Sequence, residues 1–170
     1  MTWELVDACR AGDLERVRSL LEERSIRRRI LTDPHCLQVA ANMGFIEIAK
    51  LLLQHGVDPS LNSRGRTAVH FAARRRDSEM LRLLLSHGVV FKTDHMGNTP
   101  LEWACMHGSL ENVKVIVEYG ASPSANPTWY HRTPVLAAAS QGHMEIVKYL
   151  LEQGADPIGH TDVRLFYDMG

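Results

Sequence analysis

The sequence predicts an all-α solenoid of stacked helix-turn-helix units with finger turns between them, and three observations carry that prediction. A segment returns in phase along the chain: LERVRSLLEER from Leu14, IEIAKLLLQHG from Ile46, SEMLRLLLSHG from Ser78, LENVKVIVEYG from Leu110 and MEIVKYLLEQG from Met144, with starts 32, 32, 32 and 34 residues apart. A pair of small residues lies about five residues upstream of each copy. Between the pair and the copy stands Gly12, Gly44, Gly108 or Gly142, with Arg76 in that place in the third unit.

Each recurring segment reads as a helix. Apolar residues fall at i, i+3, i+6 and i+7, as in Ile46, Ala49, Leu52 and Leu53, which marks one helical face. Glu15, Glu47, Glu79, Glu111 and Glu145 open the segments, where negative charge meets the positive end of the helix dipole. The upstream pairs, Ala8-Cys9, Ala40-Ala41, Ala72-Ala73, Ala104-Cys105 and Ala138-Ala139, belong to a shorter first helix whose small side chains permit close approach. Glycine between the helices supplies the positive φ of a tight turn. In the later units GRTAVH from Gly65, GNTPLE from Gly97 and HRTPVL from His131 place threonine as a helix cap, with proline tolerated in the first turn.

Composition agrees with a soluble, well-packed chain. The 170 residues are 45% apolar and 23% charged, and the net charge of −1 gives no overall pull towards nucleic acid or anionic membrane. No apolar run reaches the roughly 18 to 20 residues that span a bilayer, and the first twelve residues lack the pattern of a signal peptide, so an intracellular, cytoplasmic or nuclear protein is expected. Cys9, Cys36 and Cys105 are an odd, widely spaced set that fits neither a disulfide framework nor a thiolate zinc site. Cys9 and Cys105 stand where other units carry alanine and are read as small core residues. A phosphate loop, a Gly-x-Ser-x-Gly elbow and a His-Glu-x-x-His helix are all missing from the sequence, so neither catalysis nor a cofactor or metal is expected.

On these residues the chain resembles the ankyrin repeat family. The family pattern is met most fully in the fifth unit, by Thr133-Pro134, Ala138-Ala139, Gly142-His143-Met144-Glu145-Ile146-Val147, Leu150-Leu151 and Gly154-Ala155-Asp156. The resemblance spans roughly residues 3 to 158 and divides 1–158 into repeats of about 1–29, 30–61, 62–93, 94–127 and 128–158. Departures are localised. Arg24 and Arg76 replace family glycines, the second unit begins Leu31-Thr32-Asp33-Pro34 without the usual signature, and only His70 keeps the family histidine. The first unit carries polar Arg16 and Ser19 where others are apolar, as an end repeat should. The fifth is apolar throughout, so either the tail 159–170, with Val163, Leu165, Phe166 and Tyr167, folds back over it or a further unit follows.

The resemblance also implies where a partner would bind: the finger tips and the exposed side of the first helices, forming a concave face. That geometry selects Asn42 and Met43; Arg64, Arg66, Arg74 and Arg75; His95, Met96, Met106 and His107; and Trp129, Tyr130, Arg132, Ser140 and Gln141. Arginine, tryptophan, tyrosine and methionine are enriched at interface hot spots. The third unit, Asn62 to Phe91, holds six arginines against two acids, which favours an acidic ligand; the alternative is that Arg74 to Arg76 are solvated, with Arg76 paired to a neighbouring acid. Trp129-Tyr130 at a loop tip is the foremost single candidate, against packing on Pro127 and Pro134. Trp103 and Trp3 are assigned to core or cap, His55 and His87 to structural helix ends, and Arg27-Arg28-Arg29 to a solvated loop. The expected function is a monomeric, non-catalytic adaptor or scaffold for a protein or peptide of acidic and apolar character. A small anionic or nucleotide-like ligand and a structural spacer are the alternatives, and nucleic acid is disfavoured for want of a recognised module.

Overall fold

The computed structural model describes residues 2–124 and 133–157. Within them the expected pairs of short helices stack in register: α1 (Thr2–Ala11) with α2 (Leu14–Glu22), then α3 (Arg24–Ile30) standing apart, then α4 (His35–Met43) with α5 (Ile46–Gln54). A finger hairpin follows, β1 (Asn62–Ser63) and β2 (Arg66–Thr67), then α6 (Ala68–Ala73) with α7 (Glu79–Leu85), α8 (Pro100–His107) with α9 (Leu110–Glu118), and α10 (Pro134–Ser140) with α11 (Met144–Glu152). The first helices form one row, α1 on α4, α4 on α6, α6 on α8 and α8 on α10; the second helices form another, α2, α5, α7, α9 and α11.

Small residues allow the first row to close up. Cys9, Ala40, Ala41, Ala72, Ala73, Ala104, Cys105 and Ala138 are fully enclosed, and the apolar stripes of the second row fill the space beside them with Leu21, Leu52, Leu81, Leu84, Ile116 and Leu150. Each such leucine or isoleucine contributes roughly 1.5 to 3 kcal/mol by leaving water. Ala139 departs from the pattern and is exposed, because among the described residues no unit stacks on the fifth. Leu136, Met144 and Leu151 are open on the same unit. The tail 159–170 lies outside the described residues.

Two details correct the sequence reading. The run Arg27-Arg28-Arg29 is not a loop: it lies on α3, a seven-residue helix anchored by buried Ile26 and Ile30 against α1 and α2. Its i, i+4 isoleucine pair is the amphipathic signal that outweighs the polar run. Trp3 is neither core nor cap, being 71% exposed. At about 100° per residue it projects away from the face that carries Leu5 and Cys9.

The inter-helix turns show why glycine recurs. Gly44 (φ 81°) and Gly108 (φ 75°) cap α4 and α8 in the left-handed region, their N–H groups donating to the carbonyls of Ala40 and Ala104. A side chain of the next unit also lies on each: Arg75 covers Gly44, and the His143 ring covers Gly108 where a Cβ would stand 2.5 Å from Cε1. The third unit has no such glycine, and Arg76 does not adopt a positive φ. There α6 stops at Ala73, and Asn112 of α9 gathers the exposed carbonyls instead: Nδ2 donates to Ala72 O at 3.3 Å, Ala73 O at 3.2 Å and Arg75 O at 2.7 Å. Asn112 is fully buried at a position that is isoleucine in the second and fifth units.

Candidate binding cleft

The third and fourth finger turns, with the first helices α6, α8 and α10, border an open cleft of about 730 Å³. Arg66 enters from β2, Arg74 from the end of α6, Asp94, His95, Met96 and Asn98 from the fourth finger, Trp103, Met106 and His107 from α8, and Leu136 and Ser140 from α10. Arg74, His95, Met96, His107, Leu136 and Ser140 are exposed at its rim, while Arg66, Asn98, Trp103 and Met106 are half-buried and Asp94 is buried.

Trp103 is the centre of this arrangement. Its indole lies beneath the Arg66 guanidinium, 5.8 Å from carbon to ring centre, which is a cation–π contact. His107, one helical turn on, stacks on it at 6.0 Å and 25°, and donates from Nδ1 to the Trp103 carbonyl at 2.8 Å. Phe71 and His70 meet the indole edge-on from α6 at 5.9 and 5.7 Å. Trp103 Nε1 donates to Asp94 Oδ2 at 3.2 Å. The assignment of Trp103 to core or cap is therefore incomplete: it is half-buried and lines the cleft, because Trp103, Met106 and His107 share the α8 face turned from the Ala104-Cys105 contact.

Asp94 holds the fourth finger in shape. Burial pushes its carboxyl pKa up, but N–H groups of Asn98 and Met96, the Asn98 amide and the Trp103 indole all donate to it, leaving the pKa below the usual carboxylate range. It is an anion already supplied with donors. Arg66 and Arg74, by contrast, have no ion pair from their side chains among the described residues, and Arg66 Nε is buried without a hydrogen-bond partner. A desolvated guanidinium nitrogen without an acceptor is costly, and among the described residues no acid neutralises the two guanidinium charges at the cleft.

Behind the cleft His70 is fully buried. Thr67 N–H donates to its Nδ1 at 3.1 Å, so the proton resides on Nε2, which donates to the Asn98 carbonyl at 3.3 Å. Burial is the main cause that lowers its pKa to about 4, leaving a neutral ring that ties the third unit to the fourth finger.

Seven of the residues projected from sequence, Arg66, Arg74, His95, Met96, Met106, His107 and Ser140, come together in this cleft. Asn42, Met43, Arg64, Arg75 and Gln141 do not line it. Met43 is exposed at the end of α4, and Gln141 follows α10. Arg64 occupies the hairpin tip with φ 53°, its carbonyl accepting from His95 N–H at 3.2 Å. Arg75 is occupied within the fold: NH2 pairs with Asp77 at 2.7 Å and NH1 donates to the Asn42 carbonyl at 3.1 Å. The acid pairing that the alternative reading gives to Arg76 thus falls to its neighbour. Trp129, Tyr130 and Arg132 lie outside the described residues. The sequence reading missed Asp94, Asn98 and Leu136 as well as Trp103; the helical phase of Trp103 with His107 was the available signal.

Other chemistry-bearing groups serve the fold. His55 and His87 each donate from Nδ1 to the carbonyl four residues back, at 2.8 and 2.9 Å, as structural helix ends should. All three cysteines are buried and free. Burial holds the Cys105 thiol well above its ordinary pKa, and a hydrogen bond with Cys9, then burial, does the same for Cys36; such thiols are poor nucleophiles. Among the described residues no group of three His, Cys, Asp or Glu is placed to hold a metal, and no helix is long and apolar enough to cross a membrane.

The family model described as ankyrin repeats (three copies) matches the chain over residues 5–95, 37–127 and 90–161. The chain belongs to the ankyrin repeat family. Members of that family are in general protein-protein interaction modules and typically non-catalytic. Comparison with curated proteins gave no match.

Proposed function

We propose that this chain is a non-catalytic adaptor whose concave side, at the cleft of the third to fifth units, takes an extended peptide with one carboxylate beside an apolar side chain. The observation that carries this reading is the pairing of two arginines that lack internal acids with an apolar floor: Arg66 and Arg74 stand beside Trp103, Met106, Met96 and Leu136. The peptide carboxylate accepts from Arg66 and Arg74, and its apolar neighbour covers Trp103 and the methionines. The open rim, built from three successive units, suits a chain passing through rather than a small molecule enclosed on all sides. The adaptor acts as an intracellular monomer.

Panning a random peptide library against the wild-type chain, with an Arg66→Glu, Arg74→Glu variant of verified folding alongside, tests this. Enrichment of acidic-apolar sequences by the wild type alone supports the reading. Equal enrichment by both proteins, or selective binding of a nucleotide in place of peptides, removes it.

A further inference from the structure

A second, separate surface emerges on α3. Four arginines, Arg24, Arg27, Arg28 and Arg29, sit on this seven-residue helix, and all four are exposed. The opposite side of the helix is committed to the core through Ile26 and Ile30. None of the four side chains forms a hydrogen bond, ion pair or ring contact among the described residues. Acids are within easy reach along the chain, since Glu22 and Glu23 precede the helix directly, yet they form no ion pair with it. Elsewhere arginines do find acids: Arg10 pairs with Asp7 at 2.8 Å, and Arg82 with Glu111 at 3.0 Å and Glu118 at 3.4 Å.

Among the described residues no other unit has a counterpart to α3, and α5 and α7 run on directly to the next finger. An inserted helix that concentrates unneutralised like charges on its outer side repels itself, and its arginines add little to folding. We propose that the outer side of α3 is a docking surface for a short acidic segment of a partner protein, distinct from the cleft. Charge complementarity selects the class of partner, and geometry narrows it. The helix is only about 10 Å long, which matches a few consecutive carboxylates held bidentately by guanidinium groups. An extended polyanion such as duplex DNA draws on a longer basic track than this seven-residue helix offers. Insertion into a lipid surface needs a free apolar face, and both isoleucines of α3 are buried.

Fluorescence anisotropy with a labelled octaglutamate peptide at low salt tests the surface, using the full chain carrying Arg66→Gln and Arg74→Gln so that the cleft does not contribute. Binding is expected, weakening as salt rises, and falling at least about tenfold when Arg27→Gln, Arg28→Gln and Arg29→Gln are added. These substitutions leave Ile26 and Ile30 untouched, and unchanged circular dichroism and melting confirm that α3 remains folded. Absence of octaglutamate binding, or equal binding after the α3 substitutions, overturns the proposal. Stronger competition from a DNA duplex or from phosphatidylserine vesicles than from unlabelled octaglutamate overturns the choice of a protein segment. The cleft reading is unaffected by any of these results, because its two arginines are absent from every protein tested.

Discussion

The third and fourth repeats share the same pair of helices, yet they meet the same backbone requirements by different means. In the fourth, the helix cap and the inter-helix turn are local. Thr99 and Glu102 form a reciprocal cap, with Glu102 Oε2 accepting from Thr99 N–H at 2.6 Å and Thr99 Oγ1 accepting from Glu102 N–H at 3.2 Å, and Gly108 closes the helix. The finger is held by Asp94 within its own turn. In the third, His70 takes the place of Glu102 and reaches into the next finger, Asn112 of the next unit replaces the turn glycine, and Arg64 bears a positive φ at the hairpin tip. The cap and turn of the fourth repeat therefore come from its own sequence, whereas the turn of the third is completed by its neighbour.

That contrast makes the third repeat the more vulnerable, and the largest expected effect is at Asn112. Asn112→Leu restores the apolar residue type of other units but leaves the carbonyls of Ala72, Ala73 and Arg75 without their donor, at a cost of about 4 kcal/mol in urea unfolding. A loss below about 1 kcal/mol would show that water replaces the amide and that the turn does not depend on the fourth unit. Adding Arg76→Gly should recover part of the loss by allowing a glycine-capped turn.

Acid should act next, through His70. With a folded pKa near 4 and an unfolded value near 6.5, the unfolded state binds the proton first as pH falls. Stability is then fully present above about pH 6.5 and declines towards pH 4, by about 3 kcal/mol in total. Asp94 does not contribute to that window, because its depressed carboxyl loses stability only below its ordinary value of 3.8. His70→Gln should flatten the slope between these pH values; an unchanged slope would place the titrating group elsewhere.

A third comparison separates the two turns directly. Gly108→Ala forces a side chain into the left-handed region and against the His143 ring, costing about 2 kcal/mol, whereas Arg76→Ala should change melting by no more than about 0.5 kcal/mol. Equal effects would mean that the third turn is strained in the same way. The smallest effect is expected at the hairpin: Arg64→Asn, which tolerates positive φ better, should stabilise by about 0.5 kcal/mol in thermal unfolding.

The repeat phase was legible because each helix face is written in local spacing, and the alanine and cysteine pairs announced the close packing that the structure shows. The cleft was legible only in part. Arg66, Met96, Met106 and His107 follow from their positions in the unit, but the place of Trp103 in the cleft depends on the helical turn it shares with His107. Likewise the charge of Arg27-Arg28-Arg29 points to a solvated loop, whereas the i, i+4 pair of Ile26 and Ile30 makes the segment a helix.

The sequence by itself determined the paired helices of the repeats and their order of stacking, since these depend on side chains a few residues apart along one chain. The tertiary structure alone decided that Asn112 completes the third repeat, that His70 binds the fourth finger, and that Arg75 is occupied while Arg66 and Arg74 are not. Those outcomes depend on which donor lies nearest to which acceptor across a repeat boundary, between residues 28 to 37 apart in the chain, and short-range spacing carries no record of that distance.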